Sequence, residues 1–247
     1  MSNAVALYAR LKPGFADRVA NAMALLRRAS EQHGRGVVLT TSLGVEDMVL
    51  ADLVARHRLP IALATLQTGK LHPQTLALIP RLETRYGVKV ERWVPDEAQV
   101  IGFVARHGDL AMRDSVELRK ACCGMRKLEP LARLLEGRSA WITGLRRDQS
   151  GTRADVPFMS IDNNGREKIA PLADWSLADI WHYVRLHDVP YNELHDRFYP
   201  SIGCEPCTRA VALGEDIRAG RWWWEQEDAK ECGLHAAREP QNTEAAA

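Results

Sequence analysis

The chain has 247 residues, of which 46% are hydrophobic and 26% charged, with 33 Lys+Arg against 32 Asp+Glu. This is the composition of one soluble globular domain that buries a core without disulfide staples, and a net charge of +1 argues against a non-specific nucleic-acid binder or a polybasic membrane protein. No apolar run approaches the ~20 residues of a membrane span, and the first ten residues lack the basic-then-apolar order of a signal peptide, so a cytoplasmic, reducing compartment is expected.

The first thirty-odd residues read as helix, with Val19, Met23 and Leu26 at helical spacing. Residues 37–41 form a β-branched run that reads as a buried strand, and 46–57 return to helical periodicity. Residues 61–66 are a second strand. Pro73 suits the first position of a helix reaching about Tyr86, because its missing N–H has no helical partner to lose there. A third strand is expected at 88–94, a helix at 97–107, an amphipathic helix at 125–135 and a strand at 140–143. A last short strand falls at 168–172. Ser176 caps a helix through Val184, with Asp179 at its third position. Residues 191–203 show no clear period, and the polar, Ala-rich stretch 239–247 reads as disordered.

Strands alternating with helices predict one α/β domain with an open, mainly parallel sheet. Its body spans 36–172. A segment at 173–235 folds over the active site, and a tail follows at 236–247.

In such sheets ligands bind at the carboxyl ends of strands. The first strand runs into Ser42-Leu43-Gly44-Val45-Glu46-Asp47, where a Ser, a Gly and a helix start can bring backbone N–H groups to an anionic oxygen. The turn is neither a P-loop nor a dinucleotide fingerprint, and a plain helix cap is the alternative. Gln67-Thr68-Gly69-Lys70 follows the second strand. Arg146, Arg147 and Arg153 stand among hydroxyl residues after the fourth. Three loops with anion chemistry at strand ends favour one anionic-ligand site over solvated surface.

Of five cysteines, Cys122 and Cys123 are adjacent at the expected start of a helix, Cys204 and Cys207 form C-x-x-C, and Cys232 stands alone. The two pairs could converge on one metal. A zinc site of four thiolates, an iron–sulfur cluster and a redox disulfide all remain open. An adjacent pair is an awkward donor to one small ion but suits the separate iron corners of a [4Fe–4S] cubane. Lys230 and His235 could stabilise a Cys232 thiolate, although a plain surface cysteine is equally consistent. Arg218 and Arg221 could clamp an anion, and the run 222–224 of tryptophans reads as packing.

Taken together, these pieces resemble the assimilatory adenylyl-sulfate / phosphoadenylyl-sulfate reductases, specifically their iron–sulfur adenylyl-sulfate (APS) branch. The resemblance spans about 37–235. It rests on Ser42-Leu43-Gly44-Val45-Glu46-Asp47, Thr68-Gly69, Cys122-Cys123-Gly124-Met125-Arg126-Lys127, Gly144-Leu145-Arg146-Arg147-Asp148-Gln149, Cys204-Glu205-Pro206-Cys207 and Glu231-Cys232-Gly233-Leu234-His235. It implies an adenine nucleotide α-hydrolase-like fold and reduction of APS to sulfite and AMP, in sulfate assimilation, with thioredoxin or glutaredoxin as donor. Cys122, Cys123, Cys204 and Cys207 would hold a [4Fe–4S] cluster, and Cys232 would be the nucleophile. Lys127 would lie between cluster and sulfate. Arg218, Arg221 and His235 would contact the phosphosulfate. Ser42, Gly44, Thr68, Gly69, Arg146 and Arg147 complete the expected substrate site.

Two departures stand out. Gln67 replaces the acid of the D-T-G common in relatives. Leu43 and Asp47 replace residues of the S-G-G-x-D-S turn of ATP pyrophosphatases, which weakens an ATP-hydrolysing reading. The rivals are a PAPS reductase, a sulfur-transfer enzyme of the same superfamily, and a non-catalytic iron–sulfur or zinc protein. The sequence leaves open whether the chain forms a homo-oligomer.

Overall fold

The computed structural model describes residues 3–226. Its strands are β1 (Val37–Thr41), β2 (Ala62–Leu66), β3 (Val90–Trp93), β4 (Ala140–Ile142), β5 (Met159–Ile161) and β6 (Glu167–Ile169). They form one sheet in the order β3-β2-β1-β4-β6-β5, parallel throughout except between β5 and β6. The chain first builds outward from β1 through β2 to β3, then returns to lay β4 on the other side of β1. That reversal makes the carboxyl ends of β1 and β4 the switch point at which open α/β sheets bind ligands. The register is Val38 opposite Trp141 and Leu39 opposite Ile142.

The helices are α1 (Ala4–Tyr8), α2 (Phe15–His33), α3 (Val45–Arg56), α4 (Pro73–Tyr86), α5 (Glu97–His107), α6 (Val116–Cys123), α7 (Glu129–Leu134) and α8 (Leu177–His187). Both sheet faces are covered, which is why β1 is apolar at every position from Val37 to Leu39 rather than alternating. Val37 and Leu39 pack into the larger core with residues of α2, α3, α4 and α8, while Val38 faces Leu131, Leu134 and Trp141 on the opposite side. Asp52 is fully buried on α3, where it accepts hydrogen bonds from Tyr86 (2.8 Å), Tyr183 (2.7 Å) and Arg56 (3.1 Å). These bonds staple α3 to α4 and α8.

Strand β1, helices α4 and α5, and the Ser176–Asp179 capping box of α8 follow the sequence pattern closely. Three elements differ. The antiparallel edge strand β5 carries only Met159-Ser160-Ile161, too short for a period to register. The last parallel strand is Glu167–Ile169 rather than 168–172. The cysteine pair ends α6 instead of starting a helix. Ser115 caps α6 by accepting from Leu118 N (3.1 Å), and the helix runs through a π turn, Gly124–Leu128, into α7. Pro130 has no N–H to offer the carbonyl one turn back, and the wider π turn absorbs that loss. Among the described residues, no helix is long and apolar enough to cross a membrane. Cys232, His235 and the tail 236–247 lie outside the described residues.

Candidate functional site

A cleft of about 930 Å³ opens at the carboxyl ends of β1, β2 and β4. Its apolar end is formed by Ala64, Leu66, Leu131 and Trp141, and its polar wall by Ser42, Asp47, Thr143 and Gly144. A second lobe of about 890 Å³ shares Ser42, Glu46, Gln149 and Arg153 with the first and continues to Gly44, Arg146, Arg218 and Arg221. One apolar end and one cationic end fit a ligand with an aromatic base and an anionic group.

The β1–α3 turn shapes the middle of this cleft. Leu43 adopts φ 62°, a left-handed conformation that costs a leucine about 1–2 kcal/mol. Its side chain is 1% exposed, and burying it recovers about 1.5–3 kcal/mol. A leucine therefore serves at a left-handed position where glycine is the usual choice. Gly44 precedes α3 with no side-chain cap, so the first-turn N–H groups remain open to an anion.

Glu46 and Asp47 sit in that first turn, and each has a partner. Glu46 Oε1 accepts from Arg146 Nη2 (2.9 Å), Arg146 Nε (3.1 Å) and Gln149 Nε2 (3.1 Å). Burial is the largest influence and pushes the Glu46 carboxyl up, but the Arg146 charge and the hydrogen bonds from Gln149, Arg146 and the backbone together hold the group below its ordinary value. Asp47 accepts from Ser42 N (2.6 Å), Ser42 Oγ (2.6 Å) and Gly144 N (3.1 Å), which ties the loop after β1 to the loop after β4. Burial pushes its carboxyl up to about 6 despite those hydrogen bonds.

Asp47→Asn replaces one acceptor oxygen with a donor and leaves at least one of these groups unpaired. Its unfolding free energy should fall by about 1–3 kcal/mol in a urea titration near pH ~4, where the folded-state carboxyl is protonated and no ionisation penalty offsets the lost bonds. The carboxyl holds its proton more tightly folded than unfolded, where its pKa is ~4. Its ionisation therefore penalises the fold fully above pH 6, and the penalty is relieved as pH falls from 6 toward 4. The Asn variant should lack that step. An unchanged urea midpoint would show that this carboxylate does not hold the two loops.

The anion-loop residues divide on inspection. Ser42, Gly44, Arg146, Arg218 and Arg221 line the cleft. Arg146 is 1% exposed and committed to Glu46, so it braces the wall as a paired cation. Arg147 turns away: its Nε donates to Val156 O (2.9 Å) and its guanidinium lies over the Phe158 ring at 5.1 Å. Thr68 and Gly69 stand against the cysteines instead. Thr68 Oγ1 lies 3.3 Å from Cys204 Sγ, its carbonyl accepts from Arg126 Nη1 (2.7 Å), and Gly69 packs on the same guanidinium. Arg221 is 8% exposed, lies over the Trp222 ring at 4.6 Å and presses so closely on Gly203 that a Cβ there would collide with it.

Cys122, Cys123, Cys204 and Cys207 are each 6–7% exposed and unbridged. All four line one hollow, together with Lys70, Arg119, Arg126 and Lys127. The hollow is closed by tertiary contacts. Glu205 N donates to Lys70 O (2.7 Å), Arg113 Nη2 to Pro206 O (3.0 Å) and Trp222 N to Cys207 O (3.3 Å). Burial pushes the Cys207 thiol up to about 12 and also raises Cys122. Among the described residues, no group of three or more His, Cys, Asp or Glu side chains is set to hold a metal ion. Lys127 lines both the hollow and the cleft and so stands between them.

Sequence reasoning named the Glu46-Asp47 and Gln149 motifs but gave these side chains no role, since their partners lie about a hundred positions away. It named Arg153, which lines both lobes, only as one of three loop arginines, and it passed over His195, which lines the second.

The sheet order and the switch-point cleft define an open, mainly parallel α/β protein with a cysteine-lined hollow beside its ligand cleft. The pattern of the phosphoadenosine phosphosulfate reductase domain matches residues 36–210, and the chain belongs to that family. It is 56% identical over 200 residues to the adenosine 5'-phosphosulfate reductase of Allochromatium vinosum, covering 81% of this chain and 78% of that protein. It is 50% identical over 226 residues to the adenosine 5'-phosphosulfate reductase of Burkholderia cepacia, covering 91% and 90%. The solved phosphoadenylyl-sulfate reductase of Candida auris, a phosphate complex, superposes with a TM-score of 0.66 at 26% identity, over 82% of this chain and 98% of that one.

Proposed function

We propose that this chain is an enzyme of sulfate assimilation that reduces adenosine 5'-phosphosulfate to sulfite and AMP, with Cys232 as its nucleophile. The family and the two adenosine 5'-phosphosulfate reductases at 50% identity or more support the reaction. The observation that carries the reading is Lys127, a cation shared by the cleft and the cysteine hollow.

The base lies toward Ala64, Leu66 and Trp141, the phosphate near Ser42–Gly44 and the first turn of α3, and the sulfonyl end toward Lys127, Arg218 and Arg221. The Cys232 thiolate attacks the substrate sulfur. A sulfur–sulfur bond forms, the bond from sulfur to the phosphate oxygen breaks, and AMP leaves with the electron pair. Lys127, Arg218 and Arg221 offset the charge that develops on the oxygens. A thiol of thioredoxin or glutaredoxin then attacks the Cys232 sulfur and sulfite leaves with the bonding pair. The second donor thiol resolves the mixed disulfide, so the donor supplies both electrons and ends as a disulfide.

The cysteine hollow fits a [4Fe–4S] cluster held by Cys122, Cys123, Cys204 and Cys207. No three of them are set to hold a single ion, but four buried, unbridged sulfurs from two distant segments line this one hollow, and the Arg126 and Lys127 cations beside Cys122 would offset thiolate charge. When bound, the cluster supplies a fixed centre of charge at the base of the cleft. Unbridged cysteines and a thiol donor suit a cytoplasmic location.

Sulfite release from APS and from its 3'-phosphorylated analogue, each with a reduced dithiol donor, tests the reading. Turnover of APS well above that of the analogue is expected. Turnover of the analogue alone would make the chain a PAPS reductase, and no sulfite from either would overturn the proposal.

A further inference from the structure

Residues 191–203 carry no periodic pattern, yet part of this stretch folds into a tight turn, Glu193–Arg197. Asn192 caps it: its side chain accepts from Leu194 N (3.1 Å) and donates to Thr75 Oγ1 (2.8 Å). The turn drives His195 inward to 5% exposure. Trp181 meets the imidazole edge-on, with centroids 5.2 Å apart at 83°, and Tyr191 packs at 6.4 Å, so the ring is held in one orientation. Both ring nitrogens are buried, and neither makes a well-formed hydrogen bond; the Tyr199 carbonyl is the one backbone acceptor close to the ring.

Buried imidazoles that serve only packing normally satisfy their nitrogens within the protein. His195 instead lines the second lobe of the cleft, with Ser42, Gly44, Arg218 and Arg221. The ring is faced by the Glu46 and Asp196 carboxylates and the Tyr199 carbonyl, which favour its protonation, but burial dominates and pushes it down to about 4. At neutral pH it is an uncharged group with one N–H donor and one acceptor nitrogen. The first turn of α3 and the two arginines direct an anion to this lobe, so the donor is the half of the imidazole that a ligand there would use.

We propose that His195 is a further substrate-contacting residue, donating a ring N–H to a phosphoryl oxygen of the nucleotide in this lobe. The proposal rests on the nucleotide reading above. Its energetic logic is that the buried donor has no well-formed partner until the ligand arrives, so binding gains a hydrogen bond and gives up at most a poorly aligned one to the Tyr199 carbonyl.

Calorimetric titration with AMP and with adenosine tests it. His195→Phe keeps an aromatic ring against Trp181 and Tyr191 and removes both nitrogens. It should weaken AMP about tenfold and leave adenosine unchanged, since one hydrogen bond to an anion is lost. His195→Gln, which retains a donor, should recover part of the AMP affinity. Equal AMP affinity in wild type and His195→Phe would overturn the inference and leave the nucleotide reading standing. Parallel loss of AMP and adenosine would also overturn it, because the contact would then be structural or to the ribose. A wild-type protein that binds neither ligand would remove both readings. A second measurement needs no folded Phe variant: in wild-type protein with ¹⁵N-labelled histidine rings, AMP but not adenosine should shift the His195 nitrogen resonances. Absence of that shift rejects the contact.

Discussion

Cys232→Ser is expected to lower sulfite formation from APS by a factor on the order of 10³ or more, while AMP affinity and iron content stay at wild-type levels. A serine hydroxyl is not ionised at neutral pH and is a far weaker nucleophile than a thiolate. The other four sulfurs cannot substitute. They are 6–7% exposed, and burial raises the thiols of Cys207, to about 12, and of Cys122.

The chain leading to Cys232 starts from a fixed point. Glu225 accepts from Arg119 Nε at 2.7 Å, with side chains 3% and 0% exposed, and Trp222 packs beneath the Arg119 and Arg221 guanidinium groups at 4.9 and 4.6 Å. Mass spectrometry of wild-type protein mixed with APS and no donor should find a sulfonate on Cys232, absent from the Ser variant. A Ser variant that still makes sulfite would remove Cys232 from the mechanism.

Cys207→Ser is expected to abolish the iron and sulfide content of anaerobically purified protein and to lower its melting temperature toward that of the iron-free wild type. A serine oxygen is a poor substitute for thiolate toward iron. The cost to the fold follows from linkage, since a group bound only by the native state stabilises it. AMP affinity should change little, because none of the four cysteines lines the cleft. Iron analysis and the visible spectrum read the first expectation, and thermal unfolding the second. Zinc in place of iron in the wild-type protein would overturn the cluster.

Much of the fold is legible from local pattern. The run 37–41 matches β1 because its β-branched residues suit a strand and Val37–Leu39, covered on both faces, are apolar without alternation, and Pro73 and the Ser176–Asp179 pair mark helix starts by their own backbone chemistry. Strand β5 is invisible because three residues at a sheet edge carry no period. Helix α6 is obscured because its cysteines, which close a hollow, interrupt the polar–apolar pattern of an ordinary surface helix.

The sequence by itself determined the alternation of strands and helices, the two cysteine pairs apart from a fifth, and the family those motifs mark. These rest on short-range steric and hydrogen-bonding preferences, or on residue identity alone. Tertiary structure decided which side chains face the ligand. Arg146 is neutralised by Glu46, a hundred positions earlier, Arg147 packs on Phe158, Thr68 supports Cys204, and His195 enters the cleft from a stretch without pattern. Those pairings depend on the sheet order and on loops meeting across the switch between β1 and β4, and no run of neighbouring residues encodes that geometry.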